Sequence, residues 1–195
     1  KYATFPGVPL NTRVNMLTAS VHQENVVFAC FNAQRQGDFK PYLLKSADKG
    51  KTWTNIAANL PIRGTVYCLK QDPVVENLLF VGTEFGAYFT TDGGLNWTKL
   101  SGLPTIAVYD LDIQERETDL VAATFGRGFY VLDDYSPLRE IKNDIKKNEA
   151  IVLPIKPVVL YHEASPLGYG GAGFLGAGYY MADNPKVGAT ITYWV

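Results

Sequence analysis

Ser46-Ala47-Asp48-Lys49-Gly50-Lys51-Thr52-Trp53 decides the fold, because the chain carries it twice. Thr90-Thr91-Asp92-Gly93-Gly94-Leu95-Asn96-Trp97 repeats it, and both copies read Ser/Thr-x-Asp-x-Gly-x-x-Trp. The two aspartates lie 44 positions apart, as do the two tryptophans. A fixed period of this size points to a stacked or radial repeat architecture. Each residue of the motif suits a hairpin turn. The Asp carboxylate accepts backbone N–H bonds within the turn. The Gly supplies a positive φ at no steric cost. The Trp opens the strand after the turn and offers a large apolar ring for packing between sheets. Ca²⁺ ligation by Asp48 and Asp92 is the weaker reading, since that cation takes about six to eight oxygens and each turn offers one obvious carboxylate.

Working outward from the motif, short β-branched and aromatic runs bounded by Gly, Asn, Asp and Pro read as strands. In the first unit they cover 15–21, 25–31, 39–45 and 52–56. The second unit copies the plan over 65–69, 78–82, 87–90 and 97–100, with Gln71-Asp72-Pro73 as a turn. A third, degenerate unit has strands at 107–113 and 120–124. Its Gly128-Phe129-Tyr130-Val131-Leu132-Asp133-Asp134 aligns with Gly86-Ala87-Tyr88-Phe89-Thr90-Thr91-Asp92. There the motif Asp survives as Asp134, the Gly becomes Ser136 and the Trp becomes Arg139. Ser136-Pro137 reads as a helix N-cap followed by proline at the first helical position, with Leu138, Ile141 and Ile145 at helical spacing. Four short antiparallel strands per unit of 40 to 45 residues is the signature of a β-propeller blade.

The expected fold is therefore all-β: a partial β-propeller of four-stranded antiparallel blades, plus a short helix and an irregular C-terminal tail. Residues 1–14 form a lead-in, 15–138 about three blades, 139–150 a short helix or linker. Residues 151–195 form an extension with a Gly/Tyr-rich loop that leads towards a further β domain. Propellers close with about four to eight blades, so the remainder of the propeller or a partner protein is the expected neighbour. The opening Lys1-Tyr2-Ala3-Thr4-Phe5-Pro6 lacks a signal-peptide pattern, and the last residues read like the middle of a strand, so a piece of a longer protein is expected.

Composition excludes several classes. Of 195 residues, 47% are hydrophobic, ample for a core, and the formal net charge is −1. Charges of both signs are interspersed with no basic block, which argues against a nucleic-acid partner. The uncharged run 164–182 contains Pro166 and six glycines, and reads as a surface loop rather than a membrane span. Cys30 and Cys68 lie in apolar strand-like runs without metal spacing. They read as buried thiols, with a disulfide between neighbouring units as the alternative. His22 and His162 lack metal spacing. No phosphate-binding glycine loop is present, and no metal or cofactor is expected.

The repeated motif resembles the Asp-box of bacterial neuraminidase (BNR) repeats, which sialidases, xyloglucan-cleaving two-propeller glycoside hydrolases and sortilin-like receptors share. On this resemblance Ser46, Asp48, Gly50, Trp53, Thr90, Asp92, Gly94 and Trp97 are structural Asp-box residues. The strings Pro41-Tyr42-Leu43-Leu44-Lys45-Ser46, Asn77-Leu78-Leu79-Phe80-Val81-Gly82-Thr83-Glu84-Phe85-Gly86 and Gly126-Arg127-Gly128-Phe129-Tyr130-Val131-Leu132-Asp133-Asp134 are similar to the last blades of large secreted bacterial sortilin-like or glycosyl-hydrolase-like proteins. The resemblance implies an extracytoplasmic location.

Strand order assigns the faces. Turns between third and fourth strands lie on one face of a propeller disc; loops between second and third strands, and the blade links, lie on the other. In propeller enzymes this second face carries the active site, an argument by analogy. It receives the candidate ligand-binding residues Arg35, Arg63, Glu84, Phe85 and Arg127, and also Asp38. Arg127, between two glycines, either binds ligand or pairs with a carboxylate such as Glu84. Glycoside hydrolysis needs two carboxylates roughly 5 to 9.5 Å apart, and Glu84 has no evident mate. The reading is a noncatalytic propeller segment of a secreted or cell-surface protein that binds protein or glycan. The alternative is part of a glycoside hydrolase whose catalytic carboxylates lie mostly outside this segment, and a lesser one is an assembly role.

Overall fold

Alternating apolar side chains and frequent Gly-Asp turns give short strands that can bury both faces only by stacking sheet on sheet. The computed structural model describes residues 4–141, 145, 149–158 and 188–195. It divides into two units, residues 1–143 and 144–195. In the first, β1 (Arg13–Ala19), β2 (Val27–Asn32), β3 (Tyr42–Ser46) and β4 (Thr54–Asn55) form one antiparallel sheet in sequential order. The next, of the same order, comprises β5 (Val66–Gln71), β6 (Leu79–Thr83), β7 (Gly86–Thr90) and β8 (Thr98–Lys99). A third contains β9 (Val108–Gln114), β10 (Asp119–Thr124) and β11 (Phe129–Leu132). The unit is all-β, a partial β-propeller. β5 packs against both β1 and β9, so the innermost strands are neighbours. In the second unit, β12 (Ile151–Val152) pairs with β13 (Tyr193–Trp194). In the extension, residues 153–158 are irregular, and the Gly/Tyr-rich run and His162 lie outside the described residues.

The repeated turn is built as its sequence suggests. Asp48 Oδ1 accepts from the Ser46 hydroxyl and the Thr52 N–H, both at 2.8 Å, and Oδ2 from the Thr52 hydroxyl at 2.6 Å. The Ser46 oxygen accepts the Gly50 N–H at 2.8 Å. In the second turn Asp92 accepts from Thr90, from the Leu95 and Asn96 N–H groups and from the Asn96 amide. These donors, the Thr52 hydroxyl first, hold the Asp48 carboxyl down to about 2.

The two tryptophans differ. Trp97 is buried and donates its indole N–H to the Ile56 carbonyl of the preceding blade at 2.8 Å. Asn59 clamps its backbone, accepting the Trp97 N–H at 2.6 Å and donating to its carbonyl at 3.0 Å. Gly94 has φ 101°, and a Cβ there would lie 2.9 Å from Ile56 Cβ, so the blades approach closely because glycine stands there. Trp53 packs instead against Phe5 of the lead-in, with ring centroids 5.5 Å apart.

The third blade departs from the plan. Among the described residues β11 has no fourth strand beside it. A 3₁₀ helix, Ser136–Glu140, follows it. Ser136 is not its N-cap: Tyr135 takes that position and no side chain caps the helix. The reason is that Tyr135 and Arg139 both reach one buried acceptor. The Tyr135 hydroxyl donates to Asp72 Oδ2 at 2.7 Å, and Arg139 Nη2 donates to the same oxygen at 2.8 Å. Asp72 is fully buried in the β5–β6 turn, where its Oδ1 also accepts the Val74 N–H at 2.9 Å and the Val75 N–H. Burial works to raise this carboxyl, but Arg139, Tyr135 and the two N–H groups hold it below the ordinary range.

Cys30 and Cys68 are both free and buried. Burial pushes the Cys68 thiol up to about 12 and raises Cys30 well above its usual value. Thiol reagents should therefore label neither until the protein unfolds. Arg139→Leu should destabilise the protein by about 3–5 kcal/mol in denaturant unfolding, because it strands a buried carboxylate. The depressed Asp72 carboxyl contributes stability present above its unfolded value near about 4 and lost as pH falls through the lower folded value. The gap between wild type and Arg139→Leu should accordingly narrow as pH is lowered from 7 to 3.

Candidate functional site

On the face opposite the Asp turns, each innermost strand carries a one-residue bulge near its start. In β1 the pairing passes from Val14–Phe31 to Met16–Cys30, leaving Asn15 extra. In β5 it passes from Val66–Thr83 to Cys68–Gly82, leaving Tyr67 extra. In β9 it passes from Val108–Thr124 to Asp110–Ala123, leaving Tyr109 extra. A bulge re-aims the side chain it carries and is favoured beside binding sites. The three extra residues converge on one open groove of about 380 Å³, whose lining also includes Arg13, Asn32, Gln34 and Arg35. The blades can converge this closely partly because Gly82 is bare. A Cβ there would lie 2.5 Å from the Val108 carbonyl oxygen and 2.6 Å from Cys68 Sγ.

The groove has an aromatic wall and a polar one. Tyr67 and Tyr109 rings lie 4.4 Å apart, and Phe125 meets Tyr109 edge-on at 5.6 Å. Tyr67 is buried, whereas Tyr109 and Phe125 present 46% and 68% of their surface to solvent. Behind Tyr67 stands Glu84. Its Oε2 accepts from the Tyr67 hydroxyl and from the Gln34 amide, the latter at 2.7 Å. Gln34 Nε2 also lies 2.9 Å from the Tyr67 oxygen, closing a triad of side chains. Burial, then the Glu84 carboxylate, raises the Tyr67 phenol well above its ordinary value, so it stays a donor at neutral pH. The groove thus offers the exposed Tyr109 ring, with Phe125 packed beside it, and guanidinium and amide donors, while the Glu84 carboxylate is held behind it by hydrogen bonds.

Of the residues chosen from sequence, Arg35 lines this groove, and Glu84 lies at its back in the β6–β7 turn. Phe85 is exposed in that same turn. Arg127 is exposed in the β10–β11 turn beside Phe125, and among the described residues it makes no ion pair. The carboxylate of Glu84 goes to Tyr67 and Gln34, not to Arg127. Arg63 is exposed in the link between the first two blades and does not line the groove. Asp38 accepts the Tyr42 hydroxyl at 2.6 Å and the Lys40 N–H at 3.0 Å, which hold its carboxyl low. Sequence reasoning missed Arg13, Asn15, Tyr67 and Tyr109. A signal for the tyrosines exists, since Val66-Tyr67 and Val108-Tyr109 repeat at an offset of 42. Among the described residues no cluster of His, Cys, Asp and Glu is arranged to hold a metal, and no helix is long and apolar enough to cross a membrane.

No protein-family model matches the chain. Two curated proteins are similar to part of it. Over 71 residues, 32% of the chain, it is 41% identical to a probable oligoxyloglucan-reducing end-specific xyloglucanase of Neosartorya fischeri. Over 75 residues, 34% of the chain, it is 29% identical to a xyloglucanase of Hypocrea jecorina. The chain spans only 8% and 9% of these relatives' lengths. Among solved structures, the GH74 enzyme of Niastella koreensis superposes with a TM-score of 0.50 at 21% identity, over 62% of this chain and 21% of that one. This likeness supports the β-propeller fold.

Removing only the phenol oxygen in Tyr67→Phe deletes a hydrogen bond to a charged group. It should cost about 1.5–3 kcal/mol in urea unfolding, with the fold retained by circular dichroism.

Proposed function

We propose that this chain is a glycan-binding segment of an extracytoplasmic β-propeller protein with BNR-type Asp-box turns. The bulges at Asn15, Tyr67 and Tyr109 carry this reading, because three separate blades aim their extra residue at one groove. Sugar rings present flat C–H faces and hydroxyl rims. The exposed faces of Tyr109 and Phe125 suit the first, and Arg13, Asn32 and Arg35 suit the second. Similarity to two xyloglucanases makes a branched β-glucan the first ligand to try. Isothermal titration of the protein with xyloglucan oligosaccharides should show saturable binding, weakened about tenfold by Tyr109→Ala, the scale of one aromatic contact. Unchanged affinity in that variant would overturn the reading.

The same comparisons favour a second reading, a glycoside hydrolase in which Glu84 is one of two catalytic carboxylates. Glu84 already accepts hydrogen bonds from two oriented donors beside the groove. Loss of a general acid or base typically lowers turnover by about 10²–10⁴-fold. Glu84→Gln should reduce xyloglucan hydrolysis on that scale, and turnover equal to wild type would remove Glu84 from the chemistry.

A further inference from the structure

The third blade holds an indole socket without an indole. Trp97 belongs to a buried cluster with Leu43, Ile56, Ala57, Leu79, Val81 and Tyr88. The repeat maps each of these onto the next blade. Residues 43, 56 and 57 become Ala87, Leu100 and Ser101 at an offset of 44. Strand pairing does the rest: Leu79 faces Thr90 as Leu120 faces Leu132, and Val81 faces Tyr88 as Ala122 faces Tyr130. The six mapped residues all line one cavity of about 140 Å³ between the second and third blades. It has the size of apolar cavities that take up a single aromatic ring, about 150 Å³. The residue that would fill it is missing because the Trp position of the third turn is Arg139, which is drawn to Asp72.

The strand that should bring the indole has a place as well. Ile56 N–H bonds the Leu43 carbonyl at 3.0 Å, and Leu100 N–H bonds the Ala87 carbonyl at 2.9 Å, so each fourth strand zips onto the third. β11 carries the equivalent edge, and among the described residues it pairs only with β10. Phe129, Val131 and Leu132 on it are 76%, 54% and 41% exposed. An exposed apolar edge strand is a template for strand addition. The mapped acceptor for an indole N–H is the Leu100 carbonyl, to which nothing donates among the described residues. One element of the template is absent, since Leu103 stands where Asn59 clamps the Trp97 backbone.

We propose that β11 and this cavity form a docking site for an extended Trp-bearing segment of a partner protein, of the pattern Trp-Thr-x-Leu. The segment adds a fourth strand to the third blade and seats its indole in the socket, as Trp97-Thr98-Lys99-Leu100 does in the second blade. Strand addition supplies affinity through the backbone, and the socket supplies selectivity for the indole.

The test is fluorescence anisotropy of the whole chain with a labelled peptide of sequence Leu-Asn-Trp-Thr-Lys-Leu. Saturable binding is expected, weakened at least tenfold when the peptide Trp is replaced by Ala. Ala122→Leu in the chain, which fills the cavity, should weaken binding by a similar factor and leave oligosaccharide affinity unchanged. The peptide substitution reads the socket even if that variant folds poorly. Equal binding of both peptides, or none at millimolar concentration, overturns the proposal. So does concentration-dependent self-association in analytical ultracentrifugation that Ala122→Leu abolishes, because the occupant would then be a second copy.

Discussion

The bond from the Trp97 indole to the Ile56 carbonyl is the constraint on which the array depends. Two β-sheets packed face to face can slide past one another, because dispersion between apolar side chains is non-directional. A ring driven between them, with its one polar atom satisfied by a backbone carbonyl of the other sheet, fixes their register. Asn59 adds two further bonds to the Trp97 backbone, and bare Gly94 lets the turn sit against Ile56. Where the tryptophan is replaced, the device changes. The third blade is tied to the second through Tyr135 and Arg139 on buried Asp72, which is directional because it is ionic and hydrogen-bonded.

This arrangement separates the two faces of the disc by how their polar groups are used. The Asp turns and the Asp72 cluster consume their polar groups internally on one face. Asp48 and Asp92 have their oxygens occupied by their own turns, which leaves them unsuited to ligation. On the opposite face the bulges leave Asn15, Tyr67 and Tyr109 without a partner position in the ladder. Tyr109 is exposed there, whereas Tyr67 is buried and its hydroxyl is held by Glu84. Glu84 belongs to both worlds: its Oε2 is held by Tyr67 and Gln34, and it stands directly behind the groove.

The sequence by itself determined the strands, the two Asp turns and the blade plan. These are local: a turn motif eight residues long contains nearly all of its own hydrogen-bond partners, so its residues state its structure. Strand order alone also places Arg35, Glu84 and Phe85 on the face opposite the Asp turns, where the structure has them. It could not name Asn15, Tyr67 and Tyr109 as a set. A bulge is a mismatch between two paired strands, and neither strand's sequence contains it. Nor could it separate Trp53 from Trp97, which share a motif. One meets Phe5 and the other the Ile56 carbonyl, and only packing against what lies next door decides which. The fate of Arg139 was hidden for the same reason. Its partner, Asp72, is 67 residues away, and tertiary structure alone brings the two within 2.8 Å.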